Sequence, residues 1–367
     1  MTRIYIVLIL FTYFEVLAQV NPYSKFERFD DTHEVKILTQ NLVDGLSGDS
    51  LKVLAIYDWI IKNIQYDTLA ARNIKHFMKL DTNIRFYPCS KTLRDRKTVC
   101  LGYSFLFSAM CKSAGITNYV IKGFSRDNTL EKVDFPNHAW VAFRISDKWY
   151  LADPTWDSGV YHQKFGTHLL KYNYYFFKTP PIEFIKTHFP NDPLWQLNES
   201  VLAFKDWTNG NFDSKTTFLN YVDSLKQFDN VSQEKFFFKS INRIISCKES
   251  AFVGHFEYVT FYSKKLEEES IAYSKLSEFL NNNNRNIYEM AKKFLPRKKE
   301  LRAKIASLEE NLNKMRYHIN QMGGSAIKTL DIQAEYQEIE TFQEIISSEK
   351  QSLENTFKEL EALPKRK

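Results

Sequence analysis

The stretch "RKTVCLGYSF", residues 96–105, sets a cysteine where a charged run turns abruptly apolar. Beyond it, Leu101, Phe105, Phe107, Met110, Cys111 and Ala114 fall at spacings that predict a buried helix, and Gly115 ends it. Cys100 therefore stands at a predicted helix N-terminus. Unpaired backbone N–H groups and the positive end of the helix dipole favour a thiolate there and can also bind an oxyanion. A cysteine nucleophile needs both aids and a neighbouring base.

Three strand-like runs follow, at residues 118–124, 138–145 and 148–153, the last two separated by Ser146-Asp147. A two-residue turn pairs Ile145 with Lys148 and sets Trp140 opposite Asp153. His138 then becomes a diagonal neighbour of Asp153 on one face, at about 7–8 Å between backbones. Side chains can close that gap, and an aspartate so placed orients an imidazole as the third member of a triad does. A three-residue turn would put the two on opposite faces. Singly, the three residues have plainer explanations: a buried thiol, a satisfied core histidine, and the start of an Asp-Pro turn. Jointly they form a specific arrangement.

Upstream, "SLKVLAIYDWIIKNI" (residues 50–64) predicts a helix capped by Asp49-Ser50, with Leu51, Leu54, Ile56, Trp59, Ile60 and Ile64 on its apolar face. Residues 69–95, with Pro88, lack periodicity and read as an irregular approach to Cys100.

"KTVCLGYSFLFSAMCKSAGI", "NHAWVAF" and "KWYLADPTWDSG" resemble the three core motifs of the transglutaminase-like superfamily of papain-type folds. The resemblance implies a nucleophile at Cys100, a general base and acid at His138, and an orienting carboxylate at Asp153. Gly102, Tyr103, Trp140, Pro154, Thr155 and Trp156 also match, as does "IYDWIIKNIQYD". Thr98 stands where the family often has glycine. "FIKTHFPNDPLWQL", residues 184–197, resembles the segment after the core in the branch that includes the kyphoscoliosis-type peptidases. Relatives supply an oxyanion-hole side chain from upstream of the nucleophile, for which Tyr87 and Ser90 are the candidates. His162, His168 and His188 follow in aromatic, lysine-rich loops and are read as incidental.

Composition sets bounds: 367 residues suggest more than one domain, and 44% hydrophobic residues with 11 Gly and 10 Pro describe a globular chain. The net charge of +6 is spread over interleaved acids and bases, so no nucleic-acid partner is expected. Arg3, the apolar run from Ile4 to Phe14 and Val16-Leu17-Ala18 fit a signal peptide cleaved after Ala18, too short to span a membrane. Residues 1–18 would direct the protein to the periplasm or out of the cell. Four cysteines could then make two disulfides. Cys100 and Cys111, about 16 Å apart along one helix, cannot pair within it; pairing of Cys89 with Cys111 or Cys247 stays open. No CxxC pair, HExxH or Gly-rich phosphate loop is present, so no cofactor or metal is expected.

Beyond residue 200, "FLNYVDSLKQF" and "EKFFFKSINRII" read as helices, and Asn281–Asn284 as a polar loop. Leu301, Ile305, Leu308, Leu312, Met315, Ile319 and Met322 then recur at alternating spacings of four and three, a heptad seam broken at Gly323-Gly324. A second helix, residues 327–363, carries Ile332, Ile339, Phe342, Ile346, Leu353 and Leu360 on one stripe, so an antiparallel helical hairpin is expected. The full expectation is an α+β transglutaminase-like core with an all-α C-terminal region, divided at 19–200, 201–295 and 296–367. As an enzyme it would be a monomeric cysteine peptidase or acyltransferase, acting on an amide of a protein or peptide through a thioester. The rival is a noncatalytic adaptor whose helical arm binds a protein partner.

Overall fold

The computed structural model describes residues 33–71, 89–126, 136–162, 167–214, 217–247, most of 251–262, 295–321 and 332–362. The expected signal peptide, Tyr87, Asn281–Asn284 and Met322–Gly324 lie outside these residues.

Two helices come first, α1 (His33–Val43) and α2 (Asp49–Asn63). In α2, Val53, Ile56, Tyr57, Ile60 and Ile61 point inward. The 100° turn per residue then swings Leu51 and Leu54 outward, where they are exposed, contrary to expectation. The cap also differs. Gly48 holds it at φ +85° without a side-chain hydrogen bond, and Asp49 lies in the first turn, where its charge suits the dipole.

Part of the supposedly irregular approach is helical, as α3 (Cys89–Asp95). Arg96, at φ +51°, then turns the chain so that Lys97–Thr98 runs parallel to Gln65–Tyr66. The N–H groups of Gln65 and Asp67 donate to the carbonyls of Arg96 and Thr98 at 2.9 and 2.8 Å. This short ladder ties the chain to the end of α2 and delivers it to α4 (Cys100–Ser113). Gly115 follows α4 at φ +79°, a conformation that ends a helix cheaply only with glycine.

A four-stranded antiparallel sheet follows, built of β1 (Asn118–Ser125), β2 (His138–Ile145), β3 (Lys148–Ala152) and β4 (His188–Pro190), in the order β3-β2-β1-β4. The hairpin register is the one read from the two-residue turn: Ile145 faces Lys148 and Val141 faces Ala152. The four-residue helix α5 (Pro154–Asp157) follows β3 directly.

The run "AWVAF" in β2 lacks polar alternation because both faces of the sheet are covered. Val141 and Phe143 join Tyr57, Ile60, Tyr103, Phe107 and Met110 on the helical side. Trp140 and Ala142 join Trp149, Trp195, Leu225 and Phe236 on the other. Each such side chain contributes roughly 1.5–3 kcal/mol by leaving water. Phe236 belongs to α6 (Gln233–Ser246), capped by Ser232, whose side chain accepts the Lys235 N–H. The boundary expected at residue 200 therefore falls inside a compact unit that runs to Gly254.

A second unit takes in the described residues from His255 onward. Its α7 (Lys298–Gln321) and α8 (Ile332–Glu361) are antiparallel: Lys298 pairs with Glu361, Arg302 with Glu354 and Glu309 with Lys350, one number rising as the other falls. Leu301, Ile305, Leu308, Leu312, Met315 and Ile319 are buried, as are Phe342, Ile346, Leu353, Phe357 and Leu360. The exposed ion pairs set orientation and add little stability; the seam holds the hairpin. Leu308→Asp is expected to destabilise this unit by about 3 kcal/mol or more through a buried unpaired charge. Urea unfolding followed by far-UV circular dichroism measures it, and a wild-type transition would mean that the seam is not what holds the helices. Among the described residues no helix is long and apolar enough to cross a membrane.

Candidate functional site

Cys100 is the first residue of α4, behind an extended N-cap at Val99, and is partly exposed. The packing two residues on is close: a Cβ on Gly102 would stand 1.9 Å from Thr98 Oγ1. Only glycine fits beside Thr98. His138 opens β2, and Asp153 leaves β3 to cap α5, its Oδ1 accepting the Thr155 N–H at 2.8 Å. Proline at the first helical position suits that cap, since its missing N–H would have had no partner. A third link holds Asp153, whose own N–H donates to the Phe176 carbonyl at 3.1 Å.

The hairpin register brings the two side chains together. His138 Nε2 lies 2.7 Å from Asp153 Oδ2, and the Cys100 side chain lies near enough to the same ring to favour its protonated form. With Nε2 committed to Asp153, Nδ1 is the ring nitrogen left for the sulfur. Burial alone would push the imidazole down; the Asp153 charge and hydrogen bond, joined by Cys100, outweigh it and raise His138 to about 10. Burial likewise works to raise Asp153, but the two imidazoles beside it hold the carboxyl well below the usual carboxylate range. The arrangement can carry a proton between sulfur and ring while a fixed anion stabilises the imidazolium.

The second imidazole is His188, and its reading as an incidental loop residue is corrected here. It opens β4 opposite Ser125, is fully buried, and places Nε2 3.1 Å from Asp153 Oδ2. The available signal was its position inside the matched "FIKTHFP" segment. His168 stands in the strand Thr167–Leu170, paired with Gly159–His162, and Ser90 lies in the first turn of α3. Behind Asp153, the Tyr57 hydroxyl stands 2.9 Å from the Asp153 carbonyl oxygen and 2.5 Å from Asp157 Oδ2, its single proton shared between the two acceptors. Burial, assisted by the Asp153 charge, pushes Asp157 up to about 7 despite its hydrogen bonds from Tyr57 and Phe176.

His138, Asp153 and His188 bring their nitrogen and oxygen atoms within 4.8 Å of one another. Two imidazoles and a carboxylate could in composition hold a metal. Here both Nε2 atoms are hydrogen-bonded to Oδ2, which accounts for their closeness, and the cluster is a proton-linked network. Cys100 and Cys111 are free thiols, and burial pushes Cys111 well above the ordinary range.

The sequence model of the transglutaminase-like superfamily matches residues 36–154. The chain is 31% identical over 188 residues to the kyphoscoliosis peptidase of Mus musculus, covering 50% of this chain and 27% of that protein. The Homo sapiens kyphoscoliosis peptidase gives 32% over 188 residues with the same coverage. This chain thus spans about a quarter of the length of those curated relatives. A solved structure of a TGase aligns with a TM-score of 0.27 and 22% identity, over 36% of this chain and 32% of that one. With a cysteine at a helix N-terminus set against an antiparallel sheet, this chain carries, across residues 36–154, a domain of the transglutaminase-like superfamily built on a papain-type fold.

Proposed function

We propose that the protein is a cysteine-dependent enzyme that breaks an amide bond, in a peptide or a glutamine side chain, through a thioester. The observation that carries the reading is the His138–Asp153 hydrogen bond of 2.7 Å, with the partly exposed Cys100 at the start of α4 acting on the same ring. His138 takes the thiol proton, and the Cys100 sulfur forms a bond to the amide carbonyl carbon. The carbon–nitrogen bond then breaks as the imidazolium passes its proton to the leaving amine. Water, or a second amine, loses a proton to His138 and attacks the thioester, which releases the thiolate. Asp153 holds the ring and stabilises its cationic form throughout. The peptidase names of the relatives agree with this chemistry. Cys100 is the partly exposed member of the trio, so substrate would reach the sulfur first.

Alkylation by iodoacetamide across pH, with mass spectrometry to locate the modified thiol, tests the reading without a known substrate. At pH 6 Cys100 is expected to react well ahead of Cys89, Cys111 and Cys247, and His138→Ala to slow it at least tenfold. Equal labelling of the four thiols at pH 6 would leave the noncatalytic adaptor as the better account.

A further inference from the structure

His188 has no part in the proton path from Cys100 to His138, yet it shares the carboxylate oxygen that His138 uses. Both Nε2 atoms meet Asp153 Oδ2, at 2.7 and 3.1 Å, while Oδ1 is occupied by the Thr155 N–H. The tautomer of His188 follows from its partner. Asp153 Oδ2, on a carboxylate held ionised, can only accept, so Nε2 carries the hydrogen of the neutral ring and Nδ1, 2.7 Å from Thr187 Oγ1, is left as an acceptor for that hydroxyl.

Packing alone does not call for an imidazole here. The ring sits among Phe184, Trp156, Trp140 and Phe176, with centroids 4.3–5.2 Å away. An aromatic hydrocarbon would suit that cage without the desolvation of two nitrogens. Burial holds His188 down at about 4, so it stays neutral near pH 7 and adds no second positive charge beside His138.

We propose that His188 is a positioning residue: its Nε2–H fixes the Asp153 carboxylate from a separate strand, so that Oδ2 stays aimed at the His138 ring. Without it, Oδ2 is held by His138 alone, and rotation of the carboxylate would strip the imidazolium of its partner. The proposal rests on the reading of Cys100 as nucleophile for its significance, but not for its geometry. The other titratable groups on this network are Cys100 of α4 facing His138, and Tyr57 of α2, Tyr103 of α4 and Asp157 of α5 near Asp153.

The test is the titration of His138, followed by NMR in the full chain with labelled histidine, in His188→Phe, His188→Gln and Thr187→Val. The wild-type midpoint is expected near 10. His188→Phe, which fills the cage without a donor, should lower it by about one unit or more and slow Cys100 alkylation about tenfold. Glutamine can place an amide N–H near the site of Nε2 and should restore both; Thr187→Val should move the midpoint a smaller distance the same way. An unmoved midpoint in folded His188→Phe, or in Thr187→Val should the first fail to fold, overturns the proposal. If the midpoint moves while wild-type Cys100 labels no faster than the other thiols, His188 keeps its positioning role and the acyl-transfer reading falls.

Discussion

Asp153→Asn is expected to slow Cys100 alkylation at pH 6 on the order of 10²-fold and to destabilise the fold by about 3–5 kcal/mol. Three donors converge on the carboxylate: the Thr155 N–H and the Nε2–H groups of His138 and His188. Asparagine offers one oxygen and an NH₂ group, so at least one of these donors would meet another. The ring of His138 could escape only by moving its proton to Nδ1, the nitrogen left for the sulfur, where it could no longer accept the thiol proton. The stability loss has its own pH signature. His138 is raised to about 10, so its contribution is complete below its unfolded value of about 6.5 and is lost as pH rises through about 10. Asp153 is lowered, so the same interaction is lost on the acid side as pH falls through its depressed folded value. The variant should therefore lie furthest below wild type between about pH 4 and 6.5, close on it as pH rises further, and approach it above about pH 10. A constant offset at every pH, measured by thermal unfolding, would contradict the ionic account.

Asp157→Asn should change the shape of the stability curve between pH 4 and 7. In the wild type two buried groups act there with opposite sign. His188, held at about 4 against an unfolded value of about 6.5, binds a proton in the unfolded chain first, so it makes stability rise with pH across that window. Asp157, pushed up to about 7 against an unfolded value of about 3.9, binds its proton in the folded chain first and makes stability fall over nearly the same range. The two slopes largely cancel. Removing the Asp157 titration unmasks the other, and the stability lost on going from pH 7 to 4.5 should grow by on the order of 3 kcal/mol, roughly 6–12 °C in Tm for a unit of this size. Curves that run parallel for variant and wild type would show that the Asp157 carboxyl is ionised in the fold throughout.

Where local chemistry decides an element, the sequence is a good guide. Ser146-Asp147 admits a two-residue turn, and from it the pairing of Ile145 with Lys148 and the meeting of His138 with Asp153 follow by counting. Gly115 marks the end of α4, and the heptad spacing from Leu301 to Ile319 identifies a buried seam. Where a residue's role depends on a distant partner, the sequence is silent. β4 has three residues, ends in a proline at the sheet edge, and pairs with β1 some 63 residues upstream, so nothing local marks His188 as part of the site. The outward turn of Leu51 and Leu54 was hidden for a related reason. Apolar residues surround much of α2, and only its neighbours decide which of them face inward.

The reliance of Asp153 on later chain sets a limit on how far the protein can be trimmed. Cys100, His138 and Asp153 all fall within residues 36–154, but the backbone N–H of Asp153 donates to the Phe176 carbonyl, its carboxylate is held by His188, and Asp157 accepts the Phe176 N–H. The sheet face beneath them is covered by Trp195, Leu225 and Phe236, and Arg243 of α6 grips Asp192 through two hydrogen bonds. A fragment cut after Pro154 would hold the full set of reacting atoms and expose the tryptophan side of its own sheet to water. A piece that keeps both faces covered must therefore run past Phe236, and the compact unit that holds them ends at Gly254, about a hundred residues beyond the last member of the trio.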